Sequence, residues 1–552
     1  MSVQATFAAT LVDEWARLGV TDAVVCPGSR STPLALALHE RLRVHVRLDE
    51  RSAGFYALGL AMATGRPSVV CVTSGTAAAE LHPSVVEAHY GRIPLIVCTA
   101  DRPPELHDTG APQTIDQDGL FTTATRWASK PGVPTQGQES SWRPLGVRAF
   151  AESRHSPKGP GPVHLNLAFR EPLGGAARPL PPTLGSDAIV AGAASPRDLG
   201  EPLGGRGILI VGGLSPYPPD PRKVLALAEK LRWPVLADPG SRSRVTGTIA
   251  AADAIVRTAP ALPDAVLLLG APWLSKALAS YISEAGRAGA RMVVLDPWGQ
   301  WPDPTRTATE FHQCDPDQWL AGALEHAASC DGDWLESWAE KEEKAQAAIA
   351  ETLGTELSEP QVARAVHAHA ADTAATVVVS ASMPMRDLEW FSPALPAPPR
   401  VLANRGANGI DGVVSTALGV AASEPHHRTI ALLGDLAFLH DVSGLVNLPK
   451  VPCTFVVVDN GGGGIFSFLP QSQELERDTF EELFGTPPTS DLGAVARGFG
   501  LPVDDVTNLS ELDAALSAPS KGPVLVRVKV PGRAQNAALH QAVNDAVRRA
   551  LT

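Results

Sequence analysis

The residues best suited to chemistry gather late in the chain. Gly434-Asp435 is followed, about 25 residues on, by Asp459-Asn460-Gly461-Gly462. Each follows an apolar run, 429–433 (TIALL) and 455–458 (FVVV), that reads as a buried strand. Asp435 and Asn460 are therefore expected at strand C-termini, the edge where open α/β sheets bind ligands. The Asp435 carboxylate, the Asn460 amide oxygen and a backbone carbonyl of the glycine-rich turn are hard oxygen ligands. They suit Mg²⁺, with Mn²⁺ as the alternative, because such an ion keeps a few protein oxygens and completes its shell with phosphate and water. Gly434 and the run Gly461 to Gly464 let the backbone approach a diphosphate closely. A GD turn beside an ordinary glycine-rich loop has the same letters.

A second candidate lies early, in Leu48-Asp49-Glu50-Arg51, at the end of a short strand and the start of a helix. Acids there commonly just complement the helix dipole. Placed in a dry pocket, Glu50 would instead have the raised pKa that acid–base work requires.

The elements that must position these groups alternate. Residues 23–26 (AVVC), 68–72 (SVVCV) and 94–98 (PLIVC) are short apolar strands separated by helical patterns, a βαβ rhythm that predicts a parallel sheet. Turns such as Pro27-Gly28-Ser29-Arg30 and Thr73-Ser74-Gly75-Thr76 open helices whose free N–H groups face anions. Residues 171–205 are rich in Pro, Gly and Ala and read as a linker. A second α/β unit follows, with strands at 208–211, 235–238, 265–270 and 292–296. Its Gly212-Gly213 lacks the rest of a dinucleotide fingerprint. The charged, Ala-rich stretch from Trp334 to Leu353 reads as a helical connector, and βα units resume with 376–380 and end with 524–528. The expectation is three doubly wound parallel-sheet domains, at 1–180, 200–330 and 355–552.

At 552 residues the chain is too long for one core, and its 49 Gly and 49 Pro suit many tight βα turns. A formal charge of −13 argues against nucleic acid as a general partner. The six cysteines are scattered without a CxxC pair and read as small core residues in a reducing compartment. No signal peptide or membrane span is evident, so a cytoplasmic location is expected.

Six strings together resemble one family: 27–34 (PGSRSTPL), 49–53 (DERSA), 99–106 (TADRPPEL), 161–166 (GPVHLN), 404–412 (NRGANGIDG) and 464–469 (GIFSFL). They are similar to those of the 2-succinyl-5-enolpyruvyl-6-hydroxy-3-cyclohexene-1-carboxylate (SEPHCHC) synthases of menaquinone biosynthesis, which belong to the thiamine-diphosphate enzymes. The resemblance covers both outer segments; the middle one matches mainly in position. It implies a pyrimidine-binding domain, a central domain without chemistry and a diphosphate-binding domain. The implied activity is decarboxylation of 2-oxoglutarate and conjugate addition of the succinyl carbanion to isochorismate. Glu50 would activate the cofactor, with Gln113 beside it at the reacting centre. Ile410 would hold the cofactor bent, and Ile465, Phe466 and Leu469 would form an apolar wall. Both substrates carry two carboxylates, so cations are needed, preferably arginine forks. Arg30, Arg102, Arg386 and Arg405 are the candidates, with Ser29, Ser382 and Gln113 as neutral donors and Lys276 where an arginine would be usual. A homodimer or homotetramer with sites between subunits is implied.

Three positions depart from the family pattern. Pro112 replaces an asparagine, Asp459 adds a negative charge before Asn460, and Lys276 lacks the bidentate fork. An acetolactate-synthase-like carboligase, a 2-oxo acid decarboxylase and a non-catalytic scaffold of the same fold are the alternatives. The acid at Glu50 argues against the scaffold.

Overall fold

The computed structural model describes residues 2–183, 199–213, 218–271, 273–330 and 332–552. Its strands form three sheets, each parallel throughout. The first contains β1 (Asp22–Val25), β2 (Arg43–Val46), β3 (Ser68–Val72), β4 (Leu95–Asp101), β5 (Trp127–Ser129) and β6 (Pro162–Ala168), in the order β2-β1-β3-β4-β6-β5. The second contains β7 (Gly207–Val211), β8 (Val235–Ala237), β9 (Ala265–Leu269), β10 (Arg291–Leu295) and β11 (Glu310–His312), in the order β11-β10-β9-β7-β8. The third contains β12 (Thr376–Val379), β13 (Arg400–Leu402), β14 (Thr429–Gly434), β15 (Cys453–Asp459), β16 (Val503–Val506) and β17 (Val524–Lys529), in the order β13-β12-β14-β15-β17-β16. β3, β4 and β15 are continuous Val, Ile and Cys runs because helices cover both faces of such sheets. The fold class expected from the βαβ rhythm is therefore the one observed.

The first and third sheets share one strand order. In each, the connections reverse direction between the first strand and the third. That reversal opens a crevice beyond the strand C-termini, the usual ligand position. In the first sheet it lies between the turn after β1 (Gly28-Ser29-Arg30) and the turn after β3 (Ser74-Gly75). In the third it lies between the turn after β12, which ends at Ser382, and the Gly434-Asp435 end of β14.

The chain packs as two compact units. One gathers the first sheet with residues 404–425 and 441–451; the other gathers the second and third sheets. In the first unit the helix Glu50–Thr64 lies against the helix Val413–Ser423. Glycine makes this approach possible. A Cβ on Gly59 would strike the Thr416 carbonyl, and one on Gly419 would strike the Tyr56 carbonyl. The Phe55 ring likewise fills the space beside Gly412, the residue that starts the second helix at φ 68°.

In the second unit the stretch expected as a connector does more. Trp334–Leu353 is a helix, but Trp334, Trp338, Ile349 and Leu353 are buried in the core of the second sheet, together with Val543 and Val547 of the C-terminal helix. Its large apolar residues share one face, which a composition reading averages away. The expected linker at 171–205 lies partly outside the described residues; 171–183 form no helix or strand. Gly212 and Gly213 are packing glycines, since side chains there would meet the Ala271 carbonyl and the Asp238 carboxylate. All six cysteines are buried and unpaired. No described helix is long and apolar enough to cross a membrane.

Replacing Gly59 with valine should destabilise the protein by about 2–3 kcal/mol or more, because the colliding partner is backbone and cannot move aside. Gly522→Ala, which points into open space, should stay within about 0.5 kcal/mol. Denaturant unfolding of both variants checks the contrast.

Candidate active site

Asp435 begins where β14 ends, and its carboxylate is 2 % exposed. Burying a charge is costly unless donors satisfy it. Three backbone N–H groups do so here. Gly461 and Gly462 donate to Oδ2 at 3.0 and 2.8 Å, and Leu436 donates to Oδ1 at 2.7 Å. The carboxylate thus ties the end of β14 to the glycine turn after β15. Gly461 and Gly462 stand at φ 79° and 122°, and a side chain at Gly462 would strike the Gly485 carbonyl. Burial, the largest cause, pushes the Asp435 carboxyl up to about 6 in the metal-free protein, against the lowering effect of those N–H donors.

The other oxygens fit a hard cation. Asn460 Oδ1 is buried without a hydrogen-bond partner, while its Nδ2 donates to Glu359 Oε1 at 2.9 Å. The Gly462 carbonyl accepts one bond, from Gly464 N–H at 2.8 Å, which leaves its second lone pair. Asp459 is less of an electrostatic burden than its letter suggests, because Arg527 Nε meets its Oδ2 at 2.7 Å. A cavity of about 920 Å³ opens beside Asn460 and Gly461, with Ser467, Gln473, Arg477 and Arg533 in its lining. Ile465, Phe466 and Leu469 follow the turn, half-buried, in and just after the 3₁₀ segment Gly464–Phe468.

Across the switch point of the same sheet, Ser382 stands at φ 75° and starts the helix Met383–Phe391. Arg386 Nη1 donates to the Ser382 carbonyl at 2.8 Å, so these two candidates form one corner. Lys276 is exposed at the start of the helix Lys276–Arg287. Its segment meets the Arg386 helix through Leu274 N–H, which donates to Glu389 Oε2 at 2.9 Å.

The remaining candidates belong to the first unit. Glu50 begins the helix Glu50–Thr64, after Asp49 caps it by accepting from Ser52 N–H at 3.0 Å. Burial raises the Glu50 pKa, and Asp49 and Glu80 add to the rise. Asp49 caps the helix, and Glu50 is half-buried at its first turn. Arg30, 6 % exposed, donates Nη1 to the Phe169 carbonyl at 2.9 Å, while its Nε is buried with no partner. Burial and the nearby Arg102 lower its pKa. Its Nη2 also pairs with the exposed Glu171 carboxylate at 3.3 Å, so one anion already lies beside it. Ser29 is exposed in the same turn. Gln113 is exposed at φ 57°, and its Nε2 donates to the Ser74 carbonyl at 2.9 Å, which places it on the turn after β3. Arg405 and Ile410 lie half-buried in the turn before Val413–Ser423.

Sequence reasoning missed the residues that hold these turns. Glu87 accepts from Gly406 N–H at 2.6 Å and Ala407 N–H at 2.7 Å, pinning the Arg405 loop. Gln117 accepts from Gly75 N–H at 2.9 Å and donates to Asn166 at 2.8 Å. Glu359 sits behind Asn460. All three read as ordinary polar letters, and burial alone marks them out.

Comparison with known proteins decides the family. Residues 5–120 match a model described as the thiamine pyrophosphate enzyme N-terminal TPP binding domain. Residues 190–377 match a middle domain of thiamine pyrophosphate enzymes and 389–528 the C-terminal TPP binding domain. The 2-succinyl-5-enolpyruvyl-6-hydroxy-3-cyclohexene-1-carboxylate synthase of Thermobifida fusca is 42% identical, with 100% of both chains covered. Its namesake in Chloroflexus aurantiacus is 41% identical over 98% of this chain and 96% of its own. The chain belongs to the SEPHCHC synthase family. It is a thiamine-diphosphate enzyme, and the synthase fold extends further. A benzoylformate decarboxylase from Polynucleobacter necessarius superposes with a TM-score of 0.71 at 18% identity, over 95% of this chain and 98% of that one. The likeness to that decarboxylase is one of fold alone. The resemblance seen in six strings of the sequence thus extends over the whole synthase chain, middle domain included.

The buried Asp435 carboxyl carries a pH signature. Its pKa lies above the ordinary 3.8 in the folded, metal-free protein, so the folded state holds the proton more tightly. Metal-free stability is then greatest below about pH 4 as far as this group is concerned, and declines as pH rises through about 6. Asp435→Asn should reduce the decline between pH 4 and 8 by on the order of 1–3 kcal/mol. Unfolding curves of metal-free wild type and variant at both pH values measure it; equal declines would remove Asp435 as the source.

Proposed function

We propose that the protein, with thiamine diphosphate and Mg²⁺ (or Mn²⁺), decarboxylates 2-oxoglutarate and adds the succinyl fragment to isochorismate. The products are SEPHCHC and carbon dioxide, in menaquinone biosynthesis. The observation that carries this reading is the end-to-end match to relatives named for that synthase. The geometry supports it. Bound thiamine diphosphate supplies the electron sink for decarboxylation and for forming the new carbon–carbon bond. Asp435, Asn460 Oδ1 and the Gly462 carbonyl would hold the metal against the diphosphate, near Gly434. Glu50 would hold a proton at its carboxyl oxygen and exchange it with the aminopyrimidine ring, with Gln113 as a neighbouring donor. Ile410, Ile465 and Phe466 would shape the cofactor's apolar surroundings, and Leu469 the substrate's.

Arg30, Arg102, Arg386 and Arg405, with Lys276, Ser29 and Ser382, would bind substrate carboxylates and set their orientation. The decisive test supplies purified protein with cofactor, Mg²⁺, 2-oxoglutarate and isochorismate. Carbon dioxide release coupled to consumption of isochorismate supports the reading; release without it makes the protein a simple decarboxylase.

The choice of donor tests the cations. A buried carboxylate that loses its charged partner costs on the order of 2–5 kcal/mol. At least one Arg→Ala change should therefore depress kcat/KM for 2-oxoglutarate far more than for pyruvate, which lacks the distal carboxylate. Equal losses on both donors, at all four arginines, would sink the anion-pocket assignment.

Glu50 belongs to one compact unit and Asp435 to the other. We place the working site between subunits of at least a homodimer, with Glu50 of one chain serving cofactor held by Asp435 of the next. Glu50→Gln should bind cofactor but not activate it, and Asp435→Ala should lose Mg²⁺-dependent binding in calorimetry. Mixing the two inactive proteins under subunit exchange should restore part of the activity. Exchange without rescue counts against a shared site.

A further inference from the structure

An asparagine binds a metal only through its oxygen, yet its amide can present either end. Something must choose. Asn460 Nδ2 donates to Glu359 Oε1 at 2.9 Å, and Oδ1 is left buried without a hydrogen-bond partner. Glu359 is 3 % exposed. It is the first residue of the helix Glu359–Thr373, whose start is set by the Ser358 cap. Its acceptor is therefore anchored. Were the Asn460 amide to turn over, Oδ1 would face a carboxylate oxygen and Nδ2 would face the metal position. Gly464 clears the space on the other side, since a Cβ there would press on Asn460 Nδ2 and approach Met383.

We propose that Glu359 is a positioning residue of the metal site: its Oε1 fixes the Asn460 amide so that Oδ1 is presented as a ligand. This rests on the reading that Asp435, Asn460 and Gly462 hold Mg²⁺. The bond to Glu359 Oε1 also polarises the amide and strengthens its oxygen as a donor. Partners of this kind, one bond behind a ligand, commonly change metal affinity about ten- to a hundredfold when removed.

The test titrates Mg²⁺ by calorimetry into substrate-free protein in excess thiamine diphosphate, with a protein-free blank subtracted. It compares wild type, E359A, E359Q, N460A, D435A and the double variant E359A/N460A. E359A should weaken Mg²⁺ about tenfold or more. E359Q should fall between it and wild type, because glutamine keeps an acceptor oxygen in one of its two orientations. The double variant should be no weaker than N460A alone, since Glu359 acts through Asn460. Losses that add in the double variant overturn the proposal, as does Mg²⁺ affinity within about twofold of wild type in both Glu359 variants while N460A is impaired. If N460A and D435A also bind Mg²⁺ normally, the metal-site reading itself fails and the proposal with it. Should E359A not fold, E359Q and its double variant with N460A decide by the same criteria.

Discussion

One buried carboxylate organises the C-terminal sheet edge. Asp435 has almost no water, so its charge must be met by protein donors, and those donors are backbone N–H groups of two different turns. Meeting that demand joins the end of β14 to the loop after β15. It also fits glycine at 461 and 462, which stand at positive φ, and at 462 a side chain would strike the Gly485 carbonyl.

The repeated strand order shows how one scaffold can serve two purposes. Both outer sheets reverse at the same place in their sequence of strands, and each opens a crevice there. The chemistry of the two crevices differs by what the turns carry. The first sheet presents Arg30, buried with an unused Nε and with Arg102 close enough to lower its pKa. The third presents Asp435 and oxygen donors. The two turns therefore differ in charge on a common frame, cationic in the first sheet and oxygen-rich in the third.

Behind these turns lies a layer of buried polar groups that costs stability. In the third sheet's neighbourhood burial pushes Glu359 up to about 8 and His540 down to about 4, while Asp387 lies 2.9 Å from His540 Nε2. Apolar residues would pack there at lower cost. These polar groups lie beside Asn460 and the Gly464–Phe468 segment, which touches His540 through Phe468.

Much was legible in the letters. Continuous Val, Ile and Cys runs can be buried only on both faces, so β3, β4, β14 and β15 and their parallel sheets followed from period and composition. Asp435 and Asn460 stood at the ends of such runs, and their oxygen chemistry pointed to a metal diphosphate before any coordinate. Short edge strands were not legible: β5, β11, β13 and β16 have weak patterns, and their pairing depends on neighbours distant in the chain. Trp334–Leu353 looked like a connector because its composition is charged, whereas its tryptophans face a core built from other segments. Glu87, Gln117 and Glu359 were silent for the same reason. A residue's type and spacing record what it can donate or accept, but burial and the partner opposite arise only when segments hundreds of positions apart are packed together, as Glu87 is with Gly406.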